Sequence, residues 1–264
     1  MNILERIVEV KKMEVAKAKS LVTASNLEKA PHFSSAVIST VGRLKDDTLT
    51  GIITEFKKAS PSKGIINDQV TVEEVVTGYA ANGAVAISVL TDEQFFKGSL
   101  ADLEAARAAV KNVPLLRKDF VIDEYQLLQA KASGADLILL IAACLSPEKV
   151  QSLASFAKSL QLEVLLELHA EDELRHICDE VDIVGVNNRD LKTFKVDIEQ
   201  SIRLASKIPA GKCRISESGI YSMDTIKTLK EGDFEGFLIG ENFMREKDPV
   251  AAFQNFLKSG SYES

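Results

Sequence analysis

From residue 50 onward, short apolar runs alternate with amphipathic stretches that carry helix-start chemistry. The apolar runs are Gly51–Phe56, Ala84–Leu90, Pro114–Arg117, Ala135–Ile141, Leu162–Leu168, Asp182–Val186, Lys212–Ile215 and Gly236–Ile239. Each has the length of a strand. Several are apolar at consecutive rather than alternate positions, as in strands buried on both faces of a parallel sheet covered by helices. Between them, Thr71-Val72-Glu73-Glu74 and Ser99-Leu100-Ala101-Asp102 have the spacing of capping boxes, the second with Asp in the acidic position. Ser146-Pro147 and Asp248-Pro249 set a cap residue before a proline suited to a first helical turn. Eight such units in one series predict an α/β fold of the (β/α)8 TIM-barrel type rather than an open doubly wound sheet. No GxGxxG turn follows the first run, which weakens a dinucleotide-binding reading.

Residues 1–48 stand outside the eight units. Ile3, Leu4, Ile7, Val8 and Val15 among lysines and glutamates predict an amphipathic first helix, and a second short helix is expected near Ser34–Val41. About 50 residues make a marginal domain alone, so this segment is expected to be a helical extension packed as a lid on one end of the barrel. Residues 1–264 would then form a single domain. Lys11-Lys12, Lys17 and Lys19 read as the solvated face of the first helix.

Composition narrows the function classes. The 264 residues are close to the ~250 of one such barrel, and the net charge of −7 argues against nucleic acid or an anionic membrane as a partner. No apolar stretch approaches a membrane span or a secretory signal. Cys144, Cys178 and Cys213 are odd in number and form no CxxC pair, as expected of reduced thiols in a cytoplasmic protein. His169 and His176 are seven apart, not the i,i+4 spacing of a helical metal pair. They and His32 are expected to be structural or solvent-exposed, with a supporting role beside Glu167 open to His169.

The informative positions are those that end the apolar runs. They are Glu55-Phe56-Lys57, Arg117-Lys118-Asp119, Glu167-Leu168-His169, Asn187-Asn188-Arg189, Ser216-Glu217-Ser218-Gly219 and Gly240-Glu241. In a barrel these ends converge on one face, where such enzymes carry their active sites. Side chains two apart on a strand share a face. That parity groups Glu55 with Lys57, Leu116 with Lys118, Leu165 with Glu167, Asn187 with Arg189, and Ile215 with Glu217. A salt-bridge network that merely closes the barrel end is the structural alternative, but charges on at least four strands favour a site. Lys57, Lys63, Lys118 and Arg189 would make a positive pocket for a small polyanion. Gly219 and Gly240 follow the seventh and eighth runs, where barrels often bind phosphate through backbone N–H groups.

The segment Ile53-Thr54-Glu55-Phe56-Lys57-Lys58-Ala59-Ser60-Pro61-Ser62-Lys63-Gly64 closely resembles the signature of the indole-3-glycerol phosphate synthase family. The likeness continues through Leu90-Thr91-Asp92, Phe95 to Ser99, Leu116 to Phe120, Leu166 to His169, Gly185 to Leu191, Ser216 to Ile220 and Leu238 to Glu241. It spans nearly the whole chain, in order. The resemblance implies ring closure of 1-(2-carboxyphenylamino)-1-deoxyribulose 5-phosphate with loss of CO2 and water, using no metal and no organic cofactor. By motif it implies that Lys118 is the principal general acid, that Glu167 handles protons in dehydration, and that Asn187 positions it or a substrate hydroxyl. Lys57 would pair with substrate anions including phosphate, and Glu55 and Glu217 would join the acid–base set. Ser60, Pro61, Phe96, Arg189, Leu191 and Ser218 would bind substrate, with Pro61, Phe96 and Leu191 as the apolar wall. Gly219, Gly240 and the Glu241 backbone would cradle phosphate. Several relatives carry Ser or Thr at position 241, so the Glu241 carboxylate is expected to turn away. A lysine near other cations and out of water has a lowered pKa, and Lys118 is expected to behave so.

Rival readings are another phosphate-binding barrel (phosphoribosylanthranilate isomerase or a lysine Schiff-base aldolase) and a catalytically silent scaffold. Independently of these, Phe95-Phe96 has core filling as its structural alternative to walling the substrate. The expected partner is a small phosphorylated molecule, and the expected assembly a monomer or at most a weak homodimer.

Overall fold

A computed structural model describes residues 3–46, 48–190 and 195–260. Eight parallel strands close into a barrel. In chain order they are β1 (Ile52–Phe56), β2 (Ala86–Leu90), β3 (Leu115–Lys118), β4 (Leu137–Ile141), β5 (Glu163–Leu168), β6 (Ile183–Asn187), β7 (Cys213–Glu217) and β8 (Gly236–Ile239). Each strand pairs in parallel with its sequence neighbours, and β8 closes onto β1 through Ile52↔Phe237 and Thr54↔Ile239. The eight expected runs all become strands, with ends shifted by two residues at most.

Strand parity divides the apolar residues into two cores. Ile53, Ala86, Leu116, Leu139, Leu165, Ile183, Ile215 and Leu238 fill the barrel interior. Ile52, Ile87, Leu115, Ile138, Leu166, Val184 and Phe237 face the helices. Burial on both faces explains the unbroken apolar runs. Helix starts follow the cap chemistry: Thr71 and Glu74 form a reciprocal capping box, and Ser146 and Asp248 each cap a helix with proline in its first turn. Ser99 also caps its helix, and the Asp102 carboxylate accepts the Ser99 hydroxyl and Lys58.

The extension departs from expectation in two ways. Its helices are α1 (Ile3–Leu21), α2 (Ala24–Leu27) and α3 (Thr40–Leu44), so the helix expected near Ser34–Val41 begins only at Thr40. Ile38 donates its N–H to Asp136, and Thr40 donates to Glu163 at the start of β5. These long-range bonds hold the segment open, and Ser39 then caps α3. Moreover, the extension covers both ends of the barrel rather than one. Arg43 binds the Ala84 and Val85 carbonyls and Leu44 joins the interior core at the strands' N-terminal end. α1 lies at the opposite mouth, where the Tyr125 hydroxyl donates to the Ala18 and Val22 carbonyls.

Candidate active site

The strand ends surround a cavity of about 210 Å³ at the C-terminal mouth. Glu55, Lys57, Ser60, Pro61, Phe96, Lys118, Glu167, Asn187, Arg189, Glu217, Ser218 and Glu241 all line it. A smaller hollow of about 50 Å³ is lined by Gly219 and Gly240 together with Lys57, Arg189, Ser218 and Glu241. Leu191 lies outside the described residues. Lys63 lines neither cavity; its side chain is 59% exposed on the rim, 3.9 Å from Glu241.

The centre is built by parity. Lys118 Nζ at the end of β3 lies 2.6 Å from Glu217 Oε2 on β7 and 3.2 Å from Glu167 Oε2 on β5. Asn187 Nδ2 donates to Glu167 Oε1 at 3.0 Å from β6. On β1, Lys57 Nζ binds Glu55 Oε1 at 2.7 Å, and Ser88 on β2 donates to the other Glu55 oxygen. Two glycines make room for these carboxylates. A Cβ at Gly185 would lie 2.2 Å from Glu217 Oε1, and one at Gly240 would lie 2.3 Å from Glu55 Oε1. Gly219 has φ +68°, and a Cβ there would also collide with Val196.

Electrostatics corrects three expectations. The mouth is not a bare positive pocket: Lys57, Lys118 and Arg189 face Glu55, Glu167, Glu217 and Glu241. The Glu241 carboxylate does not turn away but reaches Arg189 Nη2 at 3.5 Å. Nor is the Lys118 pKa lowered. Burial pushes it down, but Glu217, Glu167 and Glu55 outweigh burial and hold it above the ordinary lysine value. Burial works against Glu167 as well, yet Lys118 and His169 keep it ionised, well below the usual carboxylate range. Glu217 goes the other way. Burial, reinforced by Glu167 and Glu55 and only partly opposed by Lys118, pushes it up to about 7. Two carboxylates on one ammonium thus differ in charge near neutral pH, the arrangement that separates a base from an acid.

The sequence matches the family model described as indole-3-glycerol phosphate synthase over residues 4–256. The indole-3-glycerol phosphate synthase of Bacteroides thetaiotaomicron is 48% identical over 258 residues, covering 98% of each chain. That of Burkholderia vietnamiensis is 42% identical over 257 residues, covering 95% of this chain and 97% of its own. The chain belongs to the indole-3-glycerol phosphate synthase family. Its activity is accordingly that of a decarboxylating lyase of tryptophan biosynthesis. Solved structures add the fold. A tryptophan synthase α subunit from Legionella pneumophila superposes with TM-score 0.62 at 14% identity, covering 83% of this chain and 94% of its own. The 3-hexulose-6-phosphate synthase of Salmonella typhimurium gives 0.62 at 13% identity, covering 81% and 99%.

Around this candidate site lie residues that do not end a strand. Ile3, Leu4 and Ile7 of α1 and Phe120 after β3 line the cavity, and Phe120 sits 6.1 Å from the half-buried Phe96 ring. Lys11, read as solvated, is buried, with Nζ 2.9 Å from both Asp92 and Asp119. The signal was present: Leu4, Ile7, Lys11 and Val15 recur at helical spacing, which puts Lys11 on the apolar stripe. His176 is structural, its ring nitrogens at the Glu173 and Leu145 carbonyls. His169 instead stands in the cavity wall. Among the described residues no group of three or more His, Cys, Asp or Glu is placed to hold a metal, and no helix is long and apolar enough to cross a membrane.

Proposed function

We propose that this cavity closes the indole ring of 1-(2-carboxyphenylamino)-1-deoxyribulose 5-phosphate by general acid–base chemistry among its own side chains. One observation carries the reading: the Lys118 ammonium held between Glu167 and Glu217, at 3.2 and 2.6 Å, on the wall of a ligand-sized cavity. As the carboxylate-bearing aromatic carbon attacks the ketone, the carbonyl oxygen becomes an alkoxide and takes a proton from Lys118. Lys118 is charged at neutral pH, so it has a proton to give as the alkoxide forms. The bond to CO2 breaks, and its electron pair restores the aromatic ring. The new hydroxyl leaves as water with a proton from the acid set, while ionised Glu167, held by Asn187, takes the proton lost from the neighbouring carbon. Glu217, partly protonated near pH 7, returns a proton to Lys118 across their short contact. Because the substrate's carboxylate leaves as neutral CO2, each turnover takes up one net proton, which solvent returns to the acid set.

Binding exchanges internal partners for substrate. Lys57 releases Glu55 and Arg189 releases Glu241 as the substrate's carboxylate and phosphate arrive. The backbone at Gly219, Gly240 and Glu241 cradles the phosphate beside Lys57, and the Ser60 and Ser218 hydroxyls meet polar groups. Pro61 and Phe96 wall the aromatic ring. The same reading has the chain acting in the cytoplasm as one folding unit over residues 1–264, a monomer or at most a weak homodimer.

The test is steady-state formation of indole-3-glycerol phosphate by the purified chain and by Lys118→Met. The variant is expected to lose ~10²–10⁴-fold in kcat, the usual contribution of one acid–base group. Near-normal turnover would remove Lys118 from the chemistry. A borohydride-trapped adduct on Lys57 or Lys118 would favour a Schiff-base aldolase instead.

A further inference from the structure

We propose that His169 is a positioning residue, a buried imidazolium that fixes the orientation and charge of the base Glu167. The inference rests on the acid–base reading above and adds a residue to it. The His169 side chain is only 7% exposed and stands between two carboxylates. Nε2 is 3.0 Å from Glu167 Oε1, and Nδ1 is 3.8 Å from Glu173 Oε2. Glu173 is itself fixed, since its Oε2 accepts the His169 backbone N–H at 2.6 Å and its carbonyl oxygen lies 2.9 Å from His176 Nδ1. The ring is therefore gripped from behind by a pinned anion and presents its other nitrogen to the reacting one.

The remaining neighbours leave His169 as the second cation on Glu167. Asn187 on β6 gives Glu167 Oε1 a neutral donor, and Lys118 on β3 approaches Oε2. The Cys144 thiol, in the turn after β4, is pushed up to about 12 by burial and by Glu167 and Glu173, so it stays uncharged. Burial would neutralise the His169 ring, but the adjacent Glu167 and Glu173 carboxylates overcome it and raise the pKa to about 10. Lys118 and His169 thus act on different oxygens of one carboxylate. When Lys118 gives up its proton to the ketone, Glu167 loses its positive neighbour on that side. The imidazolium keeps it ionised through the next step, where it must accept a proton. Neither ring nitrogen has a well-directed hydrogen bond among the described residues. The contact to Glu167 is an ion pair that a small rotation tightens, as acid–base contacts often do once substrate is bound.

The test has one arm with substrate and one without. His169→Gln keeps a polar side chain and removes the charge; Glu173→Gln keeps the ring and removes its anchor. Each variant is expected to lower kcat roughly tenfold at pH 7, as a charge-assisted contact gives way to a neutral one, with KM changed less than about twofold. Each should also move the acidic limb of the kcat–pH profile upward, since Glu167 without its cation protonates more readily. In the arm without substrate, 15N NMR of the histidines in the wild-type chain should show the His169 ring doubly protonated at pH 8. A neutral ring at that pH overturns the proposal. So does a His169→Gln profile lowered equally at every pH, which is what a merely structural loss gives. The NMR arm decides even if the chain fails to turn over this substrate, a result that would count against the reaction and not against the imidazolium.

Discussion

Glu217 and Glu167 touch the same ammonium, yet their surroundings shift them in opposite directions. Glu167 has His169 and Asn187 on its far oxygen, whereas the Glu217 Oε1 has no hydrogen-bond partner among the described residues. A buried carboxylate with fewer compensating donors holds its proton more tightly. Because Glu217 titrates near 7 in the fold against an ordinary 4.5, the folded state binds the extra proton between those values. Its contribution to stability therefore falls as pH rises through that window. Glu217→Gln is expected to flatten the stability–pH curve between about pH 4.5 and 7 in urea titrations. It should also erase the kcat limb near neutrality, which belongs to the Glu167–Glu217 pair jointly; an unchanged limb would assign that titration elsewhere. Glu241 calls for a different experiment, because its carboxylate is an internal competitor for Arg189. Glu241→Ser should lower the KM for the phosphorylated substrate, by up to roughly fivefold for a partly exposed pair, with kcat little changed. A raised KM would show that the carboxylate aids binding.

Among the elements, α1 does the most that its pattern conceals. It puts three apolar side chains on the cavity and anchors itself with Lys11, whose ammonium meets Asp92, Asp119 and Glu14. Asp119 also takes Arg117 Nη2 and the Thr91 hydroxyl, and directly follows Lys118 in the chain. Docking of α1 is thereby tied to the backbone that carries the central lysine. Removing one partner of a buried ion pair costs ~3–5 kcal/mol because the other charge is stranded. Lys11→Met is expected to lose stability on that scale in chemical denaturation, and to lower kcat by loosening the Lys118 segment. A loss below about 1 kcal/mol, typical of surface pairs, would mean that the helix does not depend on this contact. The loop after β1 is held more lightly. A small hairpin pairs Ala59–Ser60 with Gly64–Ile65, and Lys58 reaches both Asp102 oxygens at 2.8 Å.

At the scale of the whole molecule, one chain segment seals the barrel at both poles, α1 over the mouth and α3 at the base. If residues 1–264 fold as a unit, unfolding monitored at α1 and in the barrel core should give coincident transitions, the mark of two-state behaviour. An early transition confined to α1 would instead make the extension a separate module. Sedimentation at micromolar concentration should return the monomer mass.

The barrel, its eight runs, the inward parity of Glu55, Lys118, Glu167, Asn187 and Glu217, and the family could all be read from the chain. Strand periodicity and cap chemistry are local, and burial on two faces leaves an unmistakable unbroken apolar run. What only the tertiary structure decided was set by groups far apart in sequence. Lys118 has a raised rather than lowered pKa because carboxylates from β1, β5 and β7 surround it. Ala36–Ser39 stay outside a helix because acids at the base of the barrel hold them, Asp136 taking the Ile38 N–H and Glu163 the Ser39 hydroxyl. Lys11 is buried because Asp92 and Asp119 meet it there. A side chain's charge and exposure depend on its neighbours in space, and periodicity along the chain names the face of a helix or strand but not what lies against it.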